Sequence, residues 1–258
     1  MVRPHAAAEF RERLLARELL IGTFVKTAHP AVIEVLGASP LDCICLDAEH
    51  APFDRSALDT TLLAARATNL PALVRVPRAD AADILNALDL GASGILVPHV
   101  ASEQDALAVV RAARYGAGVG RGYGGSTRAA GYGTRSMSEV ISEANRTVAV
   151  IVQIEDAAAL EELDAIAAVD GIDALFVGRM DLTVSLGAAS PADDRVVQAV
   201  RAVCAAALRH RRAAGMFTQT VDEARQWATE GTSLMLLASD QQWVLQGARQ
   251  LVSGLRPK

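Results

Sequence analysis

The sequence has no basic excess, few aromatic residues, no paired cysteines and no long apolar run. Lysine and arginine total 25 against 30 acids, a net charge of −5, so no basic face is expected to meet nucleic acid or an anionic membrane. Three cysteines (Cys43, Cys45, Cys204) make an odd number without CxxC spacing, which argues against a disulfide framework and a redox pair. Cys43 and Cys45 alternate along a strand-like run and should share one core face; a reducing cytoplasm is the expected location. No apolar stretch approaches the roughly 20 residues that span a bilayer. The N-terminal stretch is rich in arginine and alanine, but Glu9, Glu12 and Glu18 argue against a transit peptide, and no apolar segment precedes a cleavage-like site. With 51% apolar and 4% aromatic residues in 258 positions, the core must be large and mostly aliphatic.

What is present is organised around residues 149–187. An apolar run, Val148 to Ile154, ends at Glu155. Ala159, Leu160, Leu163, Ile166, Ala167 and Val169 follow at helical spacing, and Gly171 closes the segment. A second apolar run, Ala174 to Val177, passes Gly178 and reaches Asp181. This is a β–α–β unit whose two parallel strands each deliver an acid past their C-terminal ends. Paired acids there suit a divalent cation with oxygen ligands; solvated loop acids or helix caps are the alternative.

The theme repeats along the chain. Expected strands cover Leu19–Val25, Leu41–Leu46, Ala72–Val76, Gly94–Val97, the two central runs, Ala213–Thr218 and Ser233–Ala238. Expected helices cover Ala31–Leu36, Ser56–Thr68 (capped by Asp54), Ala81–Leu90 (closed by Gly91), Glu103–Arg114, Pro191–Arg211, Val221–Thr229 and Trp243–Leu251, with an extra N-terminal helix. Strands apolar on both faces, alternating with helices eight times, predict one (β/α)8 barrel domain over residues 1–258. A doubly wound sheet is the alternative, but it requires neither eight units nor such even spacing.

Barrel enzymes place their chemistry at the C-terminal mouth of the strands. There the sequence gathers Asp47, Glu49, His50, Arg75, Gln153, Glu155 and Asp181. Each alone has a structural explanation, but together they predict a shared active site. The glycine-rich stretch from Tyr115 to Gly133 contains a formal GxGxxG (Gly120, Gly122, Gly125). That triplet follows a helix, not a strand, which excludes a dinucleotide site. With Arg121 and Arg128, the stretch reads as a mobile loop over the mouth, a packing loop at a subunit contact being the alternative.

LDAEHAP (46–52), VRVP (74–77), LDLGASGILVP (88–98), RGYGGSTRAAGYG, VQIED (152–156) and GRMDLTVSLG (178–187) resemble the HpcH/HpaI aldolase family of the phosphoenolpyruvate/pyruvate barrel superfamily. The resemblance runs from about Gly22 to Asp240, with the motifs in the family's order. It implies a class II pyruvate aldolase dependent on a divalent cation (Mg2+ or Mn2+, with Co2+ also acceptable), assembled as a hexamer by exchange of C-terminal helices. By the same resemblance, Glu155 and Asp181 hold the metal, Arg75 stabilises the enolate oxygen, and His50 is the catalytic histidine. Asp89 forms a dyad with His50 across a subunit boundary. Gln153 and backbone N–H groups near Gly178 and Met180 bind the keto acid, and Asp47 and Glu49 stand behind the metal.

These roles are chemically coherent. Deprotonating a carbon next to a ketone builds an enolate, whose charge needs preorganised positive partners. Lys26 is the nearest candidate for a Schiff base, and this route does not need one. The chain departs from the family in having Gly178-Arg179 where Gly-Pro is usual, and Gly116-Ala117 where prolines are usual. Arg179 is therefore expected to meet the oxygens of short polyhydroxylated or carboxylated aldehydes, with Phe217 limiting their length; the alternative for Arg179 is solvent or a neighbouring acid. Two other functions are weighed. One is a citrate-type synthase or lyase, for which no basic site for the CoA phosphates is visible. The other is a non-catalytic ring-forming barrel, against which the complete set of site residues stands.

Overall fold

Eight short parallel strands alternate with helices and close on themselves. The structure, a computed structural model, describes residues 6–116 and 120–255. In chain order the elements are α1 (Ala6–Leu15), β1 (Leu20–Val25), α2 (Pro30–Gly37), β2 (Cys43–Asp47), α3 (Arg55–Ala67), β3 (Ala72–Arg75), α4 (Ala81–Asp89), β4 (Gly94–Val97) and α5 (Glu103–Ala113). There follow α6 (Met137–Thr147), β5 (Ala149–Ile154), a 3-10 turn (Ala157–Leu160), α7 (Leu163–Ala168), β6 (Ala174–Val177), α8 (Arg179–Ser185), α9 (Asp194–Arg209), β7 (Ala213–Thr218), α10 (Val221–Thr229), β8 (Leu234–Ser239) and α11 (Asp240–Leu255). Each strand pairs in parallel with its sequence neighbour, and β1 pairs with β8, so the predicted (β/α)8 barrel is present.

The strands are buried on both faces, which is why they read as unbroken apolar runs. Inward-facing Leu20, Phe24, Cys43, Cys45, Leu73, Leu96, Ile151, Phe176 and Leu236 fill the barrel. The outward set, Ile44, Leu46, Val74, Ile95, Val150, Val152 and Leu175 among others, packs beneath the helices. Cys43 and Cys45 do share the inner face, and all three cysteines are free and buried. Helix α1 closes the end of the barrel where the strands begin. Its Phe10 and Leu14 join the inner core. Its Arg11 donates through Nε (3.0 Å) and Nη2 (2.8 Å) to buried Asp173, which also accepts from Arg114 and from the Val150 N–H.

Local signals explain most boundaries. Asp54 caps α3 through the Ala57 N–H, and Gly91, at φ +94°, ends the α4 segment in a left-handed conformation that glycine adopts without strain. Two expectations are corrected, and one helix is added. The segment after β5 is a 3-10 turn followed by a short α7 rather than one helix; the turn buries Ala159 and α7 buries Leu163, Ile166 and Ala167, so the apolar spacing runs on across the break. Helix α9 starts at Asp194, capped by Asp193, and stops before Arg211, which has φ +57°. Helix α6 was not anticipated: Val140 is its one buried residue, and it is fixed by a Ser136–Glu139 capping box instead of an apolar stripe. Among the described residues, no helix is long and apolar enough to cross a membrane.

Candidate active site

The register of β2 and β3 sets Asp47 beside Arg75, the last residue of each strand. Residues paired this way share a face, and here both turn into the mouth. Arg75 donates through Nε to Asp47 Oδ1 (3.0 Å) and through Nη2 to Oδ2 (2.8 Å). Its Nη1 lies 3.2 Å from Glu49 Oε2, and its guanidinium carbon 4.6 Å from the centre of the Phe24 ring. Asp47 also accepts the His50 N–H at 3.1 Å and has Lys26 Nζ at 3.3 Å. Burial alone would raise the Asp47 pKa; the hydrogen bonds and charge of Arg75, the His50 N–H and Lys26 together hold it below the usual carboxylate value.

Beyond β5, Glu155 is buried in the mouth. Its Oε1 accepts the His99 N–H at 2.8 Å, and its Oε2 accepts from Gln153 Nε2. Burial raises the Glu155 pKa, against the opposing effects of Gln153 and His99. His99 follows β4 with φ +55°. Its Nδ1 lies 3.3 Å from Glu155 Oε1 and 3.1 Å from Asp156 Oδ2, and its Nε2 lies 3.7 Å from Glu49 Oε1. Burial would lower the His99 pKa, but the Asp156 hydrogen bond and the charges of Glu155, Asp156 and Glu49 raise it.

Glu49, His99 and Glu155 bring one ligand atom each within 4.8 Å of one another. Gln153 Oε1 is buried and accepts no hydrogen bond, and Glu49 Oε2 meets Arg75 as an ion pair without an aligned hydrogen bond. A buried carboxylate (Glu155), a partly buried one (Glu49), an imidazole and the Gln153 Oε1 oxygen form a donor set that fits a divalent cation. His99 is not among the residues that the sequence marks for the site. Its one signal was its place directly after a barrel strand, since a left-handed backbone at a histidine is not legible there.

Asp181, the third residue of α8, is exposed and lines the mouth with Gly178, Arg179 and Met180. A Cβ on Gly178 would lie 2.5 Å from Glu155 Oε2 and 3.0 Å from Gln153 Nε2, so only glycine lets the chain pass so close to these groups. The Gly178 N–H is bonded to the Ile154 carbonyl at 3.0 Å and so is already engaged within the barrel, unlike the free donor expected there. Arg179 is bonded to Glu223 at the start of α10, the alternative weighed from the sequence. Phe217 lines the same cleft and packs on Phe24, ring centres 5.8 Å apart. The cleft measures about 300 Å3 and takes in Lys26, His50, Arg75 and Gln153.

Two expected elements lie elsewhere. Asp89 ends α4, so it sits where the strands begin, bonded to Arg121 at 2.7 Å. His50 is half exposed at the opposite end, with its Nε2 3.6 Å from Glu49 Oε2. Within one chain the two do not meet, as a dyad formed across subunits requires. The glycine-rich stretch is not over the mouth of its own barrel: it follows α5 at the end where the strands begin and leads into α6. Arg121 ties it to Asp89, and Arg128 ties it to Asp59 and to the Leu90 carbonyl. Residues 117–119 of this stretch, including Ala117, lie outside the described residues. A second hollow of about 440 Å3 lies here between α3, α4 and α6, away from the clustered carboxylates.

Comparison with known proteins bears on this mouth. The sequence profile described as HpcH/HpaI aldolase/citrate lyase matches residues 20–246. A hydroxypyruvate/pyruvate aldolase of Paraburkholderia phytofirmans is 37% identical, with 95% of this chain and 96% of the relative covered. A 5-keto-4-deoxy-D-glucarate aldolase of Klebsiella pneumoniae is 33% identical over 90% of each chain. The crystal structure of an HpcH/HpaI aldolase/citrate lyase family protein from Burkholderia cenocepacia superimposes with a TM-score of 0.92 at 34% identity, covering 97% of this chain and 100% of that one. Closed barrel, clustered mouth and near full-length similarity agree: the chain belongs to the HpcH/HpaI aldolase/citrate lyase family.

Proposed function

We propose that the protein is a metal-dependent class II aldolase, a carbon–carbon lyase that joins the enolate of pyruvate or hydroxypyruvate to an aldehyde, or cleaves the product. The observation that carries this reading is that one 300 Å3 cleft holds an arginine fixed by a buried carboxylate beside a carboxylate set fit for a cation. Glu155 and Asp181 would hold Mg2+, Mn2+ or Co2+, with Glu49 and His99 beside them. The bound cation supplies Lewis acidity at the keto-acid carbonyl.

The chain's own residues do the rest. Arg75, held by Asp47, offers its remaining N–H groups to the oxygen on which enolate charge develops. Gln153 and the first turn of α8 orient the keto acid. His50 takes or returns the proton at the carbon next to the ketone, and Asp89 of a neighbouring copy orients its imidazole. Phe217 bounds the acceptor. A homo-oligomer, a hexamer built by exchange of α11, is supported by the exposed Val244, Leu245, Leu251, Val252 and Leu255 on that helix. One aldolase domain in the cytoplasm completes the reading.

The test is incubation with Mn2+, hydroxypyruvate and glyceraldehyde, and separately with oxaloacetate and acetyl-CoA. Aldol product from the first mixture alone is expected. Citrate from the second, with no aldol from the first, would replace this reading by the citrate-type one.

A further inference from the structure

The cations at the mouth are not equally committed. Arg75 is bonded to Asp47, and Arg179 is bonded to Glu223, which also accepts the Gln219 N–H at 2.8 Å. Lys26 is different. Its Nζ lies 3.3 Å from Asp47 Oδ2, an oxygen that already accepts from Arg75, and its side chain is 33% exposed toward the cleft. Its backbone is held firmly: the Lys26 and Thr27 N–H groups donate to the two oxygens of buried Asp240 at 2.8 and 3.1 Å. A clamped backbone therefore presents a flexible ammonium to the cleft. Arginine supplies nearly all of the 25 basic residues, and Lys26 and Lys258 are the two lysines. The position thus departs from the chain's own habit in favour of a compact point charge.

The wall around Lys26 has a distinct character. It is made by the ends of β7, β8 and β1 and presents Phe217, Gln219, Ser239 and Gln242 to the cleft. None of these is acidic, and the acids behind them are already engaged, Asp240 by the Lys26 and Thr27 N–H groups and Glu223 by Arg179 and the Gln219 N–H. The carboxylates Glu49, Glu155 and Asp181 follow β2, β5 and β6 instead. An acceptor with a carboxylate at its far end would be repelled from that side and drawn to Lys26, which turns its aldehyde carbon toward the enolate.

We propose that the β7–β8–β1 wall is the acceptor subsite and that Lys26 selects short aldehydes bearing a carboxylate. The proposal rests on the aldolase reading above and names its acceptor class. In the reaction the enolate's electron pair forms the bond to the aldehyde carbon, the aldehyde C=O π bond opens, and its oxygen takes up the proton that His50 removed from the donor. Lys26 takes part in neither event; it is the counter-charge for the acceptor's far end, and Phe217 sets the distance.

The test compares kcat/KM for glyoxylate and for glycolaldehyde, which match in length and differ in carboxylate against hydroxymethyl. Hydroxypyruvate is the donor and Mn2+ is saturating, with wild type, Lys26→Met, Lys26→Gln and Lys26→Arg compared. The readout is the ratio of the two constants, in which any loss through Asp47 and Arg75 common to both acceptors cancels. In Lys26→Met and Lys26→Gln the glyoxylate preference should fall about tenfold or more, chiefly through KM for glyoxylate, and Lys26→Arg should retain most of it. An unchanged ratio in both neutral variants overturns the proposal. Deuterium exchange at C3 of pyruvate by the wild type with Mn2+ tests the parent reading separately. No exchange would remove that reading and this proposal together, whereas exchange with an unchanged ratio removes this proposal alone.

Discussion

Asp47 and Arg75 end adjacent strands in register, and their side chains meet through two hydrogen bonds of 3.0 and 2.8 Å beneath the mouth. The pair fixes the plane of the guanidinium, so the direction of its remaining donors is decided by the sheet and not by the flexibility of a long side chain.

Arg75→Lys keeps the charge and loses that plane. Turnover in metal-dependent aldol cleavage should fall at least about tenfold, equivalent to about 1.4 kcal/mol of transition-state stabilisation. Steady-state kinetics with saturating Mn2+ measures it, and near-native turnover would remove Arg75 from the mechanism.

Chelation should abolish activity, and Mg2+, Mn2+ or Co2+ should restore it. A readout independent of turnover is the Tm: Mn2+ should raise it in the wild type and leave it unmoved in Glu155→Gln, because a ligand stabilises only the fold that binds it. Full activity in excess EDTA would end the metal assignment.

His50 and Asp89 lie at opposite ends of one barrel, which makes a complementation test possible. His50→Ala and Asp89→Asn should each lower turnover strongly, and combining both changes in one chain should lower it little further. Co-assembled mixtures of the two single variants should regain activity, since some sites then draw a native residue from each chain. Mixtures no more active than their components would show that the pair does not act across subunits.

Asp173→Asn keeps the shape at the base of the barrel but removes the charge facing Arg11 and Arg114. Leaving these half-buried guanidiniums without a counter-ion should cost about 3 kcal/mol, read as a Tm lower by roughly 10 °C. The folded fraction should keep wild-type kcat, because the change lies at the end opposite the cleft.

The barrel was legible because it is written in unbroken apolar runs: Gly94–Val97, Ala174–Val177 and Ala213–Thr218 were placed to the residue. The mouth was legible for a related reason, since polar residues at the ends of such runs have few other uses. What escaped notice depended on partners distant in sequence. His99 gains its place from a left-handed backbone and a bond to Glu155, 56 residues on. Arg179 could be seen as a cation at the mouth, but its pairing with Glu223 follows from the placement of α10, which no local pattern reports. The glycine-rich stretch was assigned to the wrong end because its composition suggests mobility, whereas its direction is set by the helix before it.

The closure of the barrel base by α1 has a consequence for the order of assembly. Arg11 reaches the carbonyl of Arg146 and the carboxylate of Asp173, 135 and 162 residues further along, and β1 must still pair with β8. A chain made from its N-terminus therefore releases α1 together with its nearby partners Glu18 and Asp42, long before Arg146, Asp173 and β8. Phe10 and Leu14 belong to an inner core that also draws on Phe176 and Leu236, so α1 can complete its docking only after β6 and β8 exist, and the base of the barrel closes late.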